Sequence, residues 1–268
     1  MHTQTWGNKR NPVAVLIHGL ASSSHAWENI APKLAAQGYH VIAPDLPGHG
    51  QTGPHSKYTV ETMAAAVHAT IGDRKVDLLV GHSLGGLISI LLNEKLNPRK
   101  LALLDPVIWL PPTRLFVTTT QNVIKNAVLD IKGKHARKRP AWQTLLFEKE
   151  LLNYKNWDAT SSKALEARPK IVKNVFSQGT GENILVLRVK NSYITPASLP
   201  KRYKDKLVFR YMSGVGHNVH QEKPNEVYNM LKEFVGELPY VNRNLFKRVQ
   251  QWIQGIPAYL RERKLVTI

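Results

Sequence analysis

Gly81-His82-Ser83-Leu84-Gly85-Gly86 decides how this chain folds. The stretch stands between the apolar run Val76–Val80 and the apolar, helix-compatible run Leu87–Leu96. A serine with glycine two residues before and two after it, where a strand turns sharply into a helix, is the pattern of a nucleophile elbow. The geometry explains the residue types. The serine backbone is strained into a tight turn, and a side chain at either flanking position would clash with the neighbouring strand or helix. The turn lifts the hydroxyl above the sheet, at the positive end of the following helix.

Short apolar runs alternate with longer helical ones on both sides of this elbow. Val13–Ile17, Val41–Ala43, Val76–Val80 and Leu101–Leu104 read as strands. Trp27–Gln37, Val60–Ile71 and Leu84–Leu96 read as helices, closed by Gly38, by Gly72 and before Pro98. The alternation predicts an α/β fold: a mostly parallel central sheet with helices on both faces and functional groups at the carboxyl ends of the strands. From Val107 to Gly181 the rhythm breaks into a helical, charge-rich segment that opens on Pro111-Pro112 and contains the basic run Lys132–Arg139. Strands at Ile184–Leu187 and Leu207–Met212 and a helix at Val227–Leu238 then resume the pattern. The expected organisation is a core of residues 1–106 and 182–239, a helical cap insertion at 107–181 and a basic extension at 240–268.

Composition narrows the class. The 268 residues contain no cysteine, which removes disulfides and thiolate metal sites and suits a reducing compartment. Met1–Trp6 lacks a signal-peptide layout, and no apolar run approaches the ~20 residues of a membrane-spanning helix, so a soluble cytoplasmic protein is expected. Lys and Arg number 37 against 19 acids, a net charge of +18 that favours anionic surfaces. No nucleic-acid-binding motif accompanies it, and no nucleic-acid partner is expected. In the extension, Leu245, Val249, Trp252, Ile253 and Ile256 form an amphipathic stripe among basic residues. That pattern fits a helix packed on the body or one lying on an anionic membrane.

Four motifs in order make the chain resemble an α/β-hydrolase: His18-Gly19 after the first clear strand with Trp27 downstream, Asp45-Leu46-Pro47-Gly48-His49-Gly50, the elbow, and Gly214-Val215-Gly216-His217 followed by Glu222-Lys223-Pro224. The resemblance implies Ser83 as nucleophile, His217 as general base, and the backbone N–H groups of Leu20 and Leu84 as an oxyanion hole. His18, His49 and His82 lie inside other motifs and are expected to shape loops. The acid departs from the family pattern. In most relatives an Asp follows the strand corresponding to Ile184–Leu187, whereas Ser192 stands at that place here. Asp105, directly after Leu101–Leu104, is the substitute, because some family members carry the acid on this strand; its alternative role is to begin the cap linker. Asp45 also follows a strand, but the family uses that turn structurally.

The expected activity is hydrolysis of a carboxylic ester of a small or lipid-like molecule through an acyl-enzyme, without metal or cofactor. Trp109 and Phe116 of the insertion would line the substrate pocket or pack the cap on the core. Two other readings stay open: a non-enzymatic ligand-binding protein on the same scaffold, which Ser192 favours, and a membrane-associated lipid hydrolase, which the basic extension favours.

Overall fold

The computed structural model describes residues 1–108, 141–166, 176, 182–192, 194–203 and 205–236. Seven strands form one sheet: β1 (Thr3–Trp6), β2 (Val13–Ile17), β3 (His40–Pro44), β4 (Val76–His82), β5 (Lys100–Leu104), β6 (Ile184–Val189) and β7 (Val208–Met212). Their spatial order is β1-β3-β2-β4-β5-β6-β7, with β1 antiparallel to β3 and the other neighbours parallel. Every residue of β2, β3, β4 and β6 is buried, which is why these strands read as continuous apolar runs. The chain steps from β2 outward to β3 and then crosses back to β4 on the other side of β2. The loops leaving β2 and β4 therefore diverge and open a crevice at their carboxyl ends.

The elbow strand continues into α3 (Leu84–Leu96), which ends at Asn97 in the left-handed region with φ 40°. Helix α2 (Val60–Ile71) has its expected bounds, with a Thr59/Thr62 capping box at its start and Gly72 at φ 64° past its end. The helix expected over Trp27–Gln37 is instead a 3-10 turn at Ser24–Trp27 followed by α1 (Ala31–Ala36). Pro32 is the reason: a longer helix would put its ring against the Glu28 carbonyl, so the helix starts around it. The apolar face survives the break, with Trp27, Ile30 and Leu34 fully buried.

β1 was not expected as a strand. It is a partly buried edge strand with a mixed polar sequence, so it lacks the apolar run that marks the central strands. The insertion lies between β5 and β6, which are neighbours in the sheet. Where described it is helical: α4 (Ala141–Asn156) and a 3-10 segment at Ala159–Glu166. After the short helices α5 (Leu199–Tyr203) and α6 (Val219–Glu222), the last described helix is α7 (Pro224–Val235). It begins three residues before the expected Val227, on Pro224, a residue suited to a first turn. Val227, Leu231 and Val235 are its buried face. The compact unit holding the sheet is Met1–Val235, and among the described residues no helix is long and apolar enough to cross a membrane. Trp109, Phe116, Lys132–Arg139 and the 240–268 extension lie outside the described residues.

Candidate active site

Ser83 has φ 54° and ψ −116°, a strained conformation for a side-chain-bearing residue, at the junction of β4 and α3. Its flanking glycines are required by space. A Cβ on Gly81 would lie 2.3 Å from the Gly85 carbonyl oxygen, and one on Gly85 would lie 2.3 Å from that of Ile17. The serine backbone is pinned to the end of β5 from both sides: its N–H donates to Leu104 O over 3.2 Å, and its carbonyl accepts from Val107 N–H over 3.1 Å.

Asp105 sits inside that clamp. It has φ 41°, is 1% exposed, and donates its own N–H to Leu187 O of β6 over 2.7 Å. His217 approaches from the loop after β7. That loop is held where Gly216 N–H donates to Glu222 Oε2 over 2.8 Å. His217 Nδ1 donates to Asp105 Oδ2 over 2.7 Å, and Ser83 Oγ donates to His217 Nε2 over 2.9 Å. The carboxylate can only accept, so it fixes the proton on Nδ1 and turns the Nε2 lone pair toward the serine. The structure thus brings together the residues expected as nucleophile, base and acid.

The loop after β2 passes directly over the serine, since a Cβ on Gly19 would come within 3.1 Å of Ser83 Cβ. His18 shapes it: Nδ1 donates to Gly19 O over 2.7 Å, and Nε2 accepts from Leu46 N–H over 2.9 Å. Full burial pushes the His18 pKa down, which keeps the ring neutral as this pair of bonds demands. Among the described residues neither the Leu20 nor the Leu84 amide donates a hydrogen bond within the protein. Leu20 leans on a small apolar cluster of Ala21, Trp157 and Ala159. Asp158 N–H donates to Gly48 O over 2.9 Å, and Tyr58 Oη donates to Asp158 Oδ2 over 2.7 Å. The described end of the insertion therefore braces the loop after β3 through hydrogen bonds and the loop after β2 through apolar contact.

Asp45 is committed elsewhere, accepting from Ser24 N–H, Gln51 N–H and His2 Nδ1. Burial raises its pKa, but the Gln51 and Ser24 amides outweigh burial and hold the carboxyl below its usual range. His49 donates from Nδ1 to Pro47 O over 2.9 Å, and burial, with His18 beside it, pushes its pKa down to about 3. Ser192, at the place where the resemblance leads one to expect the acid, accepts through Oγ from the amides of Ile194 and Thr195. Arg188, buried at the end of β6, donates to the carbonyls of Thr195, Lys190 and Ser192. This loop is organised by a guanidinium and a hydroxyl. Sequence reading passed over Arg188, although one cation inside the apolar run Ile184–Val189 marks a side chain that needs buried acceptors. Among the described residues no His, Asp or Glu cluster has the arrangement of a metal site.

Residues 14–230 match the family model described as the alpha/beta hydrolase family. An esterase/lipase-named protein of Mycoplasma genitalium is 22% identical over 251 residues, covering 86% of this chain and 91% of that protein. A pimeloyl-[acyl-carrier protein] methyl ester esterase of Edwardsiella ictaluri is 37% identical over 75 residues, 28% of each chain. The chain spans about a quarter of the length of the mycobacterial relatives it matches, 24% at 39% identity. A carboxylesterase structure from Nitrososphaera gargenis superposes with a TM-score of 0.71 at 17% identity, over 87% of this chain and 93% of that one. Fold, strand order and family match agree: the chain belongs to the α/β hydrolase family.

Proposed function

We propose that the protein is a serine hydrolase that cleaves a carboxylic ester of a small or lipid-like molecule through an acyl-enzyme on Ser83. The observation that carries this reading is the unbroken line from Asp105 through His217 to Ser83 at a strained elbow. A serine hydroxyl is a weak nucleophile near neutral pH and needs a base within hydrogen-bond reach. His217 Nε2 takes the proton as Oγ attacks the carbonyl carbon, and the imidazolium so formed is stabilised by the Asp105 carboxylate. The alkoxide oxygen of the tetrahedral intermediate is bound by the Leu84 and Leu20 N–H groups, the former at the N-terminus of α3. His217 then protonates the leaving alcohol, and water, activated by the same imidazole, releases the acid and restores Ser83.

The esterase names of two relatives favour an ester over an amide or a carbon–carbon bond. Fluorophosphonate labelling of Ser83, together with turnover of p-nitrophenyl esters of increasing chain length, tests the reading. Labelling and turnover that vanish in Ser83→Ala support it. A wild-type protein that neither labels nor turns over any ester overturns it in favour of a binding protein on the same scaffold. The net charge of +18 supports peripheral contact with anionic membrane as a second property. Co-sedimentation with phosphatidylglycerol vesicles at low salt, lost at high salt, is the expected result, and no binding at low salt refutes it.

A further inference from the structure

The elbow residue before the serine is tied to the loop that carries the base. His82 Nε2 lies 2.9 Å from the main-chain carbonyl oxygen of His217. A carbonyl only accepts, so Nε2 carries the proton and His82 is the donor. The two imidazoles also face one another, with centroids 4.6 Å apart and planes tilted by 41°. On its other side the His82 ring meets the β2 loop, where a Cβ on Gly19 would come within 2.9 Å of its Nδ1. Behind it stands His220 at 4.3 Å, and behind His220 stands Trp27 at 4.6 Å. Among the described residues, neither nitrogen of His220 has a hydrogen-bond partner. It serves as a packing ring that stops His82 from swinging away.

The base needs such a restraint. His217 follows Gly214, at φ 65° with no atom of the described residues within 4 Å of where a Cβ would stand, and Gly216, and its side chain is 32% exposed. The two hydrogen bonds of its imidazole orient the ring but do not hold the backbone from which it hangs. Resting on the hydrolase reading above, we propose that His82 is a positioning residue. Its Nε2–H holds the His217 carbonyl, so that the imidazole stays in line between Asp105 and Ser83 as the proton moves. The ring must also remain neutral when its neighbour becomes an imidazolium, because a second positive charge with its ring centroid 4.6 Å away would oppose protonation of His217. Burial, followed by the proximity of His220 and His217, lowers the His82 pKa well below its ordinary value, which serves that requirement.

Two substitutions separate the hydrogen bond from the ring. His82→Phe keeps a flat ring and loses the donor, whereas His82→Gln keeps an N–H donor of similar reach and loses the ring. His82→Phe is expected to lower kcat for p-nitrophenyl esters by about 10- to 100-fold with KM within about twofold, the size of a small misplacement of a catalytic group. His82→Gln is expected to restore most of that loss. In proton NMR, the low-field Nδ1–H resonance of His217 should persist in wild type and His82→Gln and broaden or vanish in His82→Phe. If His82→Phe does not fold, His82→Met, which also lacks a donor, is read in the same way. Wild-type kcat and an intact resonance in a donorless variant overturn the proposal. Equal losses in His82→Phe and His82→Gln also overturn it, because they mean that only packing is at stake. An active wild type with either of those outcomes leaves the hydrolase reading standing, whereas an inactive, unlabelled wild type overturns both.

Discussion

At the scale of single residues, chemistry here depends on which atoms can donate. Asp105 Oδ2 accepts from His217 Nδ1, and that bond alone decides which imidazole nitrogen faces Ser83. Ser83→Ala and His217→Ala are each expected to reduce ester turnover by roughly 10⁴-fold or more, as when members of such a unit are removed. Retention of a tenth of wild-type turnover in either variant contradicts the assignment. Asp105→Asn is nearly isosteric but uncharged, so it leaves the developing imidazolium without its counter-charge. Turnover should fall by about 10²–10⁴ with KM little changed, and an Asp105→Asn enzyme as active as wild type places the acid elsewhere. Adding Ser192→Asp to that variant should recover little of the loss. The amides of Ile194 and Thr195 already claim the Ser192 oxygen, and they would take up a new carboxylate first.

At the scale of elements, the backbone places these atoms and the glycines allow it. A Cβ on Gly85 would meet two main-chain oxygens, those of Ile17 and His18, at 2.3 and 2.4 Å, and neither can move without shifting β2 and its loop. Gly85→Ala is therefore expected to cost about 1–3 kcal/mol of stability, as overpacked interiors do, and also to lower turnover, because the displaced loop carries the Leu20 amide. Thermal melting and ester kinetics on the same sample check both effects, and unchanged melting refutes the clash. The same close packing made the elbow legible from sequence, since the glycine spacing records where no side chain fits. β2, β4 and β5 were legible because burial on both faces forces an apolar run. β1 was not, because an edge strand needs no such run. The split at Pro32 could have been foreseen from its missing N–H, but the apolar periodicity crosses the break and conceals it. Asp105 could be singled out because it follows a strand on which the resemblance allows an acid. The tie from His82 to His217 was hidden because 135 residues of chain separate two groups that only the closed sheet brings together.

At the scale of the whole molecule, buried histidines make the fold sensitive to acid. His49 and His220 are fully buried, and burial above all pushes the pKa of each down to about 3 from an ordinary value of 6.5. His18 and His82 are shifted in the same direction by the same cause. Above pH 6.5 these rings are neutral in both folded and unfolded chains and exert no pH dependence. Below it the unfolded chain takes up protons that the folded chain refuses, so stability falls continuously as pH drops toward about 3. At pH 5 the loss is about 2 kcal/mol for each of His49 and His220, or about 4 kcal/mol together, a large part of the 5–15 kcal/mol typical of a folded domain. Since about 1 kcal/mol shifts melting by roughly 2–4 °C at this size, His49 and His220 alone should lower the melting temperature by about 8–16 °C between pH 7 and pH 5. His220 is where this sensitivity can be removed. Its nitrogens have no partners among the described residues, and its ring stacks between Trp27 and His82, so His220→Phe replaces an unpaired polar ring with an apolar one of similar shape. That variant should melt no lower than wild type at pH 7, and its pH 7-to-5 decrease should be smaller by about 2 kcal/mol, or roughly 4–8 °C. Equal decreases in the two proteins, measured by circular dichroism, locate the acid sensitivity in other groups.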